Sequence, residues 1–330
     1  MFIDQKKASL VLTLKILQEY SDENHYLTQQ DIIDKLYNKY DLLLERKTIA
    51  SNINLLEELG YDISRGAKGG VCLINRLFDS SEIKFLIDAV YSSKTITGKQ
   101  AHNIANSISS TLSIYDQKQY NYLFKSQEIN RNINNDFFYN IELINEAIHN
   151  NKMISFQYIT FNKSGKEVFK FNGFKYKVSP YYLINNFGKY YLLSNYKNDG
   201  ASHFRVDYMR NIEILDTKRI PIDTIEYFGK NFNISKYINN HIYMFGGKVI
   251  DAIVEIENEQ AIAYVKDWFG TNTDIYTKDD KIYAKIKCDD KAFIHWCLQY
   301  INSIKVIEPL YLKDQIIDIL QTNLDKYKTK

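Results

Sequence analysis

The sequence predicts an α+β chain of several domains. A helical head closed by a β-hairpin comes first, then a helical connector, a small antiparallel barrel and a C-terminal α/β layer. Three observations predict it. Apolar residues recur at helical spacing over the first sixty residues, then give way to two short apolar runs around a glycine-rich turn. From residue 153 the pattern becomes short alternating runs separated by turn residues. From residue 245 strand and helix patterns follow in the order β-α-β-β-α-β, which is that of a ferredoxin-like layer.

The first helix is expected around Leu10, Val11, Leu14 and Leu17. Thr28 and Asp31 form a start signal for a second, with Ile32, Ile33 and Leu36 behind it, ending near Tyr40. The third begins near Arg46 and is stopped by Gly60. Its apolar stripe is Ile49, Ile53 and Leu56, flanked by Leu55 and Leu59. At 100° per residue, Lys47, Ser51, Asn54 and Glu58 face the other way, with Thr48 to one side. The segment "YDISRGAKGGVCLI" reads as a hairpin, so residues 1–75 are expected to form a winged helix-turn-helix. A helix with small donors and acceptors on its outer face suits a DNA major groove, and Arg65 and Lys68 at the hairpin tip suit phosphates.

Charge weighs the other way. Residues 1–75 hold nine Lys/Arg and eleven Asp/Glu, a net of −2, whereas much DNA affinity comes from phosphate contacts. A small helical domain that binds protein is the alternative. Position favours DNA, because Arg46, Lys47, Arg65 and Lys68 gather at the third helix and the hairpin. The segment "KTIASNINLLEELGYDI…GAKGG" resembles the DeoR-like winged helix of bacterial regulators. That family usually carries Arg-Asp where this chain has Ser51-Asn52, which implies a different operator. The candidate DNA-contacting set is therefore Arg46, Lys47, Thr48, Ser51, Asn52, Asn54, Arg65 and Lys68.

Residues 76–136 read as a helical connector. Ser80 or Ser81 caps a helix striped by Ile83, Leu86, Ile87 and Val90, and "KQAHNIANSISSTLSIY" and "QKQYNYLF" continue it. His102 and His149 read as surface residues. From Phe137 a helix leads into the runs "MISFQYITF", "VFKFN", "FKYKVSPYYLI", "KYYLLSNY" and "HFRVDYM", with a hairpin turn at "NNFGK". Four or five short antiparallel strands suggest a small closed barrel over 137–220.

Arginine is scarce here. The 42 basic residues include only seven arginines, yet Arg205, Arg210 and Arg219 fall within fifteen residues. Arginine holds phosphate or carboxylate bidentately, and lysine does not. In "HFRVDYMRNIEIL", Phe204, Val206 and Tyr208 alternate with Arg205 and Asp207. The reading is either an anion site or a surface ion pair.

The run "SPYYLINNFGKYYLLSNY…HFRVDYMRNIEIL" resembles the WYL domain over about 80 residues. Tyr190-Tyr191-Leu192 stand at the family's W-Y-L, and Phe204-Arg205-Val206-Asp207 at its F-R-L-D. The second family arginine falls at Tyr208, with Arg210 two residues on. The resemblance implies an Sm/SH3-like barrel that senses a nucleotide-like or single-stranded nucleic-acid ligand. Arginine would hold phosphate and tyrosine faces would stack bases. The implied ligand set is Tyr181, Tyr190, His203, Arg205, Asp207 and Arg210. Tyr182 and Tyr191 read more as barrel core than Tyr181 and Tyr190 do.

Residues 221–244 read as a linker carrying Pro221. The ferredoxin-like layer over 245–330 resembles the extension that follows WYL domains, through "EPLYLKDQI". His295 and Trp296 read as core. Cys72, Cys288 and Cys297 form no CxxC, so buried reduced thiols in a reducing cytoplasm are expected, with no metal site. The N-terminal residues do not read as a signal peptide, and no window has the apolar length of a membrane helix. There is no Gly-rich phosphate loop, HExxH or G-x-S-x-G, so neither an enzyme nor a cofactor is expected. The partners expected are double-stranded operator DNA, the nucleic-acid-like effector and a second copy of the chain. The alternative is a nucleic-acid-binding accessory protein without promoter specificity.

Overall fold

A computed structural model describes residues 5–66, 69–74, 76–120, 134–197 and 200–328. The chain is an α+β protein with N-terminal helices, a central antiparallel sheet and a C-terminal α/β sheet. It divides into two compact units, Met1–Asn135 and Asp136–Lys330.

In the first unit, helices α1 (Gln5–Tyr20), α2 (Gln29–Tyr40) and α3 (Arg46–Glu58) precede a hairpin of β1 (Ile63–Arg65) and β2 (Val71–Leu73). The α1 stripe is rotated from the expected one. Leu12, Ile16 and Leu17 are buried while Val11 faces solvent, and Thr13 is buried with them, its hydroxyl donating to Ser9 O within α1 at 2.7 Å. Thr28 caps α2 as its spacing predicts: Oγ1 accepts from Asp31 N, and the Asp31 carboxylate accepts from Thr28 N. Ile49, Ile53 and Leu56 of α3 close the core, and Leu55 and Leu59 stay exposed. Gly60 follows with φ +90, a left-handed turn that a side chain would strain. Leu27 forms a bridge to Val71, which ties the hairpin back to the helices.

The connector supplies α4 (Ser80–Ser92), α5 (Gly98–Ser109) and α6 (Ile114–Gln119). Asp79, not Ser80 or Ser81, caps α4, since its carboxylate accepts from Glu82 N while Glu82 reaches back to Asp79 N. Arg76 donates to Gln18 O and Ser21 O at the end of α1 and to Thr111 O, satisfying carbonyls the helix leaves open. His102 and His149 are exposed as read. Of the expected run 117–124, residues 121–124 lie outside the described residues.

The second unit opens with α7 (Phe137–His149). The central sheet follows: β3 (Lys152–Phe161), β4 (Glu167–Phe169), β5 (Lys175–Asn186), β6 (Lys189–Asn195), β7 (Ser202–Arg205) and β8 (Met209–Lys218). Its ladder runs β4-β3-β5-β6-β7, with β8 also on β3. Phe187 and Gly188, at φ 48 and 73, form the two-residue β5–β6 turn, matching the twist of the strands they join. The sheet curls. Three strand spacings separate β3 from β7, about 14 Å if flat. Yet Phe156 on β3 meets Phe204 on β7 ring to ring at 5.0 Å. Among the described residues no ladder joins β7 to β8, and a 3-10 turn, Val206–Tyr208, spans the gap. This corrects the continuous alternation expected over 203–209. The strand ends at Arg205, and the turn carries Asp207 into the interior.

Residues 221–244 are more than a linker. Ile225, Phe228, Tyr237 and Met244 are buried against Tyr181, Ile184 and Leu193, with α8 (Ile234–Asn240) laid over the sheet. Four such side chains within twenty residues are too apolar to leave in water. The C-terminal sheet holds β9 (Val249–Ile256), α9 (Ile262–Phe269), β10 (Asp274–Lys278), β11 (Lys281–Asp289), α10 (Asp290–Gln299), β12 (Ile304–Glu308) and α11 (Leu310–Lys328), with strand order β10-β11-β9-β12. Trp296 is core as read, but His295 is exposed, edge-on to Phe245. All three cysteines are buried and reduced.

Replacing Thr28 by Ala removes the hydroxyl that accepts from Asp31 N and donates to the Asp31 carboxylate. A loss of about 1 kcal/mol is expected in urea unfolding of the full chain, and an unchanged midpoint would show that the cap carries no stability.

Candidate functional site

Two surfaces gather the expected residues. On α3, Arg46, Lys47, Ser51 and Asn54 are exposed and Thr48 is half-buried, so the helix presents one polar row outward. Arg46 reaches Gln30 on α2 at 3.1 Å. The Arg65 guanidinium leaves the hairpin and joins that row, donating to Asn54 Oδ1 at 3.1 Å and Glu57 Oε2 at 2.7 Å. Hairpin and helix thus form one polar surface rather than two. Asn52 is corrected. It is 7% exposed, and its amide donates to the buried Thr13 hydroxyl at 3.0 Å, so it joins α3 to α1. One position past a solvent-facing residue on a helix is a turn of 100°, enough to reach the core. Lys68 lies outside the described residues.

The second surface is centred on Arg205, at the end of β7. Its Nε donates to Asp207 Oδ1 at 3.1 Å and its Nη2 to Oδ2 at 2.6 Å. The guanidinium lies 4.1 Å from the centroid of the Tyr208 ring. Burial opposes its charge, but the Asp207 carboxylate outweighs burial and holds the guanidinium more firmly protonated than usual. The Asp207 side chain is fully buried, and that of Arg205 is 20% exposed. Arg205 N donates to Tyr158 Oη at 3.0 Å, and burial pushes that phenol well above its ordinary range. Arg210 is also engaged. Its Nη1 donates to Asp207 O and Met209 O, and its Nη2 to Glu167.

Residues 139–214 match the WYL domain. The chain contains a WYL domain. No curated protein matches it. Among solved structures it is similar to proteasome accessory factor B/C (PafBC) of Arthrobacter aurescens, at 15% identity and a TM-score of 0.30. That alignment covers 99% of this chain and 49% of that one, so the chain spans about half its length. It is also similar to a CRISPR Cas-related protein at 11% identity and a TM-score of 0.39, covering 98% of this chain and 84% of that one.

The WYL domain places its tyrosines differently from the sequence reading. Tyr191 is the cross-strand partner of Arg205, so the two share a face. Tyr190 points to the other face and packs edge-on against Phe137 of α7 at 5.5 Å. Tyr181 is buried, 3% exposed, and its hydroxyl donates to Ile220 O; burial pushes its phenol up to about 12. Tyr182 and Tyr191 are only partly buried, so the expected ranking of core and accessible tyrosines is reversed for Tyr181. His203 shares the Arg205 face two residues away, but its Nε2 meets Tyr237 Oη at 2.9 Å beneath α8. Burial, aided by His241, lowers its pKa to about 4. Tyr158, Tyr191, Tyr208 and Glu167 were missed by sequence reasoning. The cross-strand position of Tyr191 was the one accessible signal, because strand pairing follows once the Phe187-Gly188 turn is recognised.

Breaking a buried ion pair from one side leaves a charge stranded. Arg205→Ala should therefore cost about 3 kcal/mol, at the low end of the range for such pairs because the arginine is partly exposed. Adding Asp207→Ala should return more than half of that. Strictly additive losses in urea unfolding would show that the pair is not coupled.

His203 stays neutral when folded and charges near 6.5 when unfolded, so the unfolded chain binds more protons in between. Stability should fall as pH drops from about 6.5 towards 4. His203→Gln should flatten that slope in thermal melts across the window, and an identical slope in the variant would place its origin elsewhere.

Proposed function

We propose that the chain is a DNA-binding transcription regulator acting as a homodimer on a two-fold operator, with a WYL domain that senses a nucleotide-like or single-stranded nucleic-acid ligand. The observation that carries it is the single polar surface made by α3 and the hairpin, on a head whose core Ile49, Ile53 and Leu56 close from behind. Three helices and a hairpin make a winged helix-turn-helix, which reads few bases alone, so two copies supply two half-sites. We assign residues 1–75 to this reader, 76–136 to the connector and 137–220 to the sensor as an Sm/SH3-like barrel. Residues 221–244 cover the sensor's outer face, and 245–330 form the ferredoxin-like extension, whose observed strand order is the one that fold has. The setting is the cytoplasm. No cofactor or catalytic step enters the reading. No helix among the described residues has the length and apolarity to cross a membrane.

In this reading Lys47, Ser51 and Asn54 read bases, and Arg46 and Arg65 anchor phosphates. Arg205 offers an anion the donors that Asp207 does not occupy, since the bidentate pair uses two of five N–H groups. Tyr191, beside it, gives a base a stacking face, and Tyr208 backs the guanidinium. Arg210 secures the turn through its own carbonyl bonds.

The net charge of −2 over residues 1–75, with Arg65 already committed to Glu57, favours a second reading: a head that binds protein, on a nucleic-acid-binding accessory protein without promoter specificity. Chromatin capture with sequencing separates the two. The regulator gives a few sharp promoter peaks with inverted repeats, and diffuse or absent binding supports the accessory role.

On the recovered operator, Lys47→Ala and Asn54→Ala should each cost about 1–3 kcal/mol and relax base preference. Arg65→Ala should weaken all duplexes and flatten the salt dependence. Asn52→Ala should lower stability and leave sequence preference alone. Equal behaviour of all four would end the division into reading, anchoring and structural residues.

The sensor is tested with short single-stranded DNA, RNA and signalling nucleotides, on wild type and on Arg205→Ala shown to be folded at the assay temperature. Loss of ligand with operator binding retained is the expected result. Full ligand affinity in the variant would reduce Arg205 to a structural ion pair.

A further inference from the structure

The hairpin of β3 and β4, with the turn that leads on to β5, carries a surface outside the two described above. Phe161, Val168, Phe169, Phe171 and Phe174 are all exposed, Phe171 at 70%. Ile159 pairs with Phe169 and Gln157 with Lys175, so residues 170–174 bulge out opposite Tyr158 alone. In that bulge Phe171 and Asn172 have φ 50 and 53, a left-handed backbone that a bulky side chain rarely takes. Gln157 Nε2 fastens it, donating to Gly173 O at 2.8 Å, and a Cβ on Gly173 would come within 2.9 Å of that nitrogen. A strained backbone held so as to put a phenylalanine in water marks a contact surface. Its charge is one-sided. Residues 161–178 hold Lys163, Lys166, Lys170, Lys175 and Lys177 against Glu167 alone, a net of +4 in a chain whose total is +2. Glu213 answers Lys175, and Glu167 is itself taken by Arg210. Among the described residues no carboxylate pairs with Lys163, Lys166, Lys170 or Lys177.

We propose that this surface docks an extended acidic segment of a partner protein, added as a strand to the open edge of β4. The main chain favours a polypeptide. Asn162 N donates to Lys166 O, which makes those two residues a hydrogen-bonded pair of the hairpin. Alternation along the ladder then turns the N–H groups of Glu167 and Phe169 away from β3. Among the described residues no strand pairs with β4 on that side, so the edge stands open as a template for another chain. A nucleic acid offers phosphates to the lysines but no ladder of N–H and C=O groups to the edge. The side chains set the partner's pattern. Phe161 and Phe169 share one face of the hairpin and Lys166 and Val168 the other, with Lys170 just beyond. An added strand lays apolar residues beside Phe169 and carboxylates beside Lys166 and Lys170. A second copy of this edge does not fit, because it brings the same lysines against themselves. Phe171 and Phe174 extend the apolar contact past the end of the strand.

The test titrates the full chain into a short fluorescent peptide that alternates valine and glutamate, and reads anisotropy. A peptide alternating valine and lysine, and oligo(dT), are the comparisons. The acidic peptide should bind best, and more weakly as salt rises. Phe169→Ala removes a ring alone. Phe169→Pro removes the ring and the outward N–H, at a backbone φ of −68 that proline accepts. With both variants shown folded by thermal melts, the proline one should bind about fivefold more weakly than the alanine one, as one lost hydrogen bond predicts. Lys166→Glu with Lys170→Glu, both exposed, should lose the acidic peptide and gain the basic one, and this pair decides alone if proline is not tolerated. An acidic peptide that ignores wild type overturns the proposal. Equal binding by Phe169→Ala and Phe169→Pro overturns the strand addition. Oligo(dT) that binds more tightly than the acidic peptide, and is lost with the lysine pair, makes this a nucleic-acid surface and overturns the protein partner.

Discussion

Around the Arg205 guanidinium, the end of β7, the 3-10 turn that leads into β8 and the aromatic residues of β3 meet. Asp207 cannot lie buried without it, and the turn that buries Asp207 is what lets β7 and β8 approach without a ladder between them. Tyr158 contributes its hydroxyl to Arg205 N from β3, across the curl of the sheet. Arg210 then uses the carbonyls of Asp207 and Met209 to fix the other side of the turn. Arg205 finds its carboxylate two residues on, and Arg210 finds Glu167 on β4. The tight pairing makes the turn rigid and leaves the guanidinium oriented and partly satisfied.

The same economy appears in the first unit. Arg65 at the end of β1 is held by Asn54 and Glu57 of α3. That contact joins two elements that also share the hydrophobic core beneath them. Asn52, one step around the helix, spends its amide on Thr13 inside the core. Neighbouring asparagines on one helix therefore do opposite work: Asn54 faces outward, and Asn52 fixes how α3 packs on α1.

The lysine-rich composition explains why these few arginines matter. Lysines here form single, exposed ion pairs such as Lys285 with Asp274 and Lys287 with Asp251, which contribute little stability in water. Among the described arginines, Arg76 instead ties three carbonyls, Arg205 clamps a buried carboxylate with two bonds, and Arg219 reaches Pro180 O beside the Tyr181 ring. Where the backbone or a buried acid needs a multidentate donor, the chain carries arginine.

Local chemistry was legible in the sequence. The Thr28 cap, the Gly60 stop, the Ile49-Ile53-Leu56 stripe, the Phe187-Gly188 turn and the β-α-β-β-α-β order each depend on residues close together in the chain, so their signals survive without a fold. The WYL motif was legible too, as was the importance of Arg205. What only tertiary structure decided was which neighbour each side chain finds. Alternation placed Asp207 on an exposed strand face, but the need to turn from β7 into β8 ended the strand at Arg205 and sent Asp207 inward. Periodicity could not tell Tyr190 from Tyr191, because both faces of a curled sheet are covered, one by α7 and the other by residues 221–244. Those residues looked like a linker only because their apolar side chains follow no period. They belong to the core because the sheet they cover had no other partner for that face.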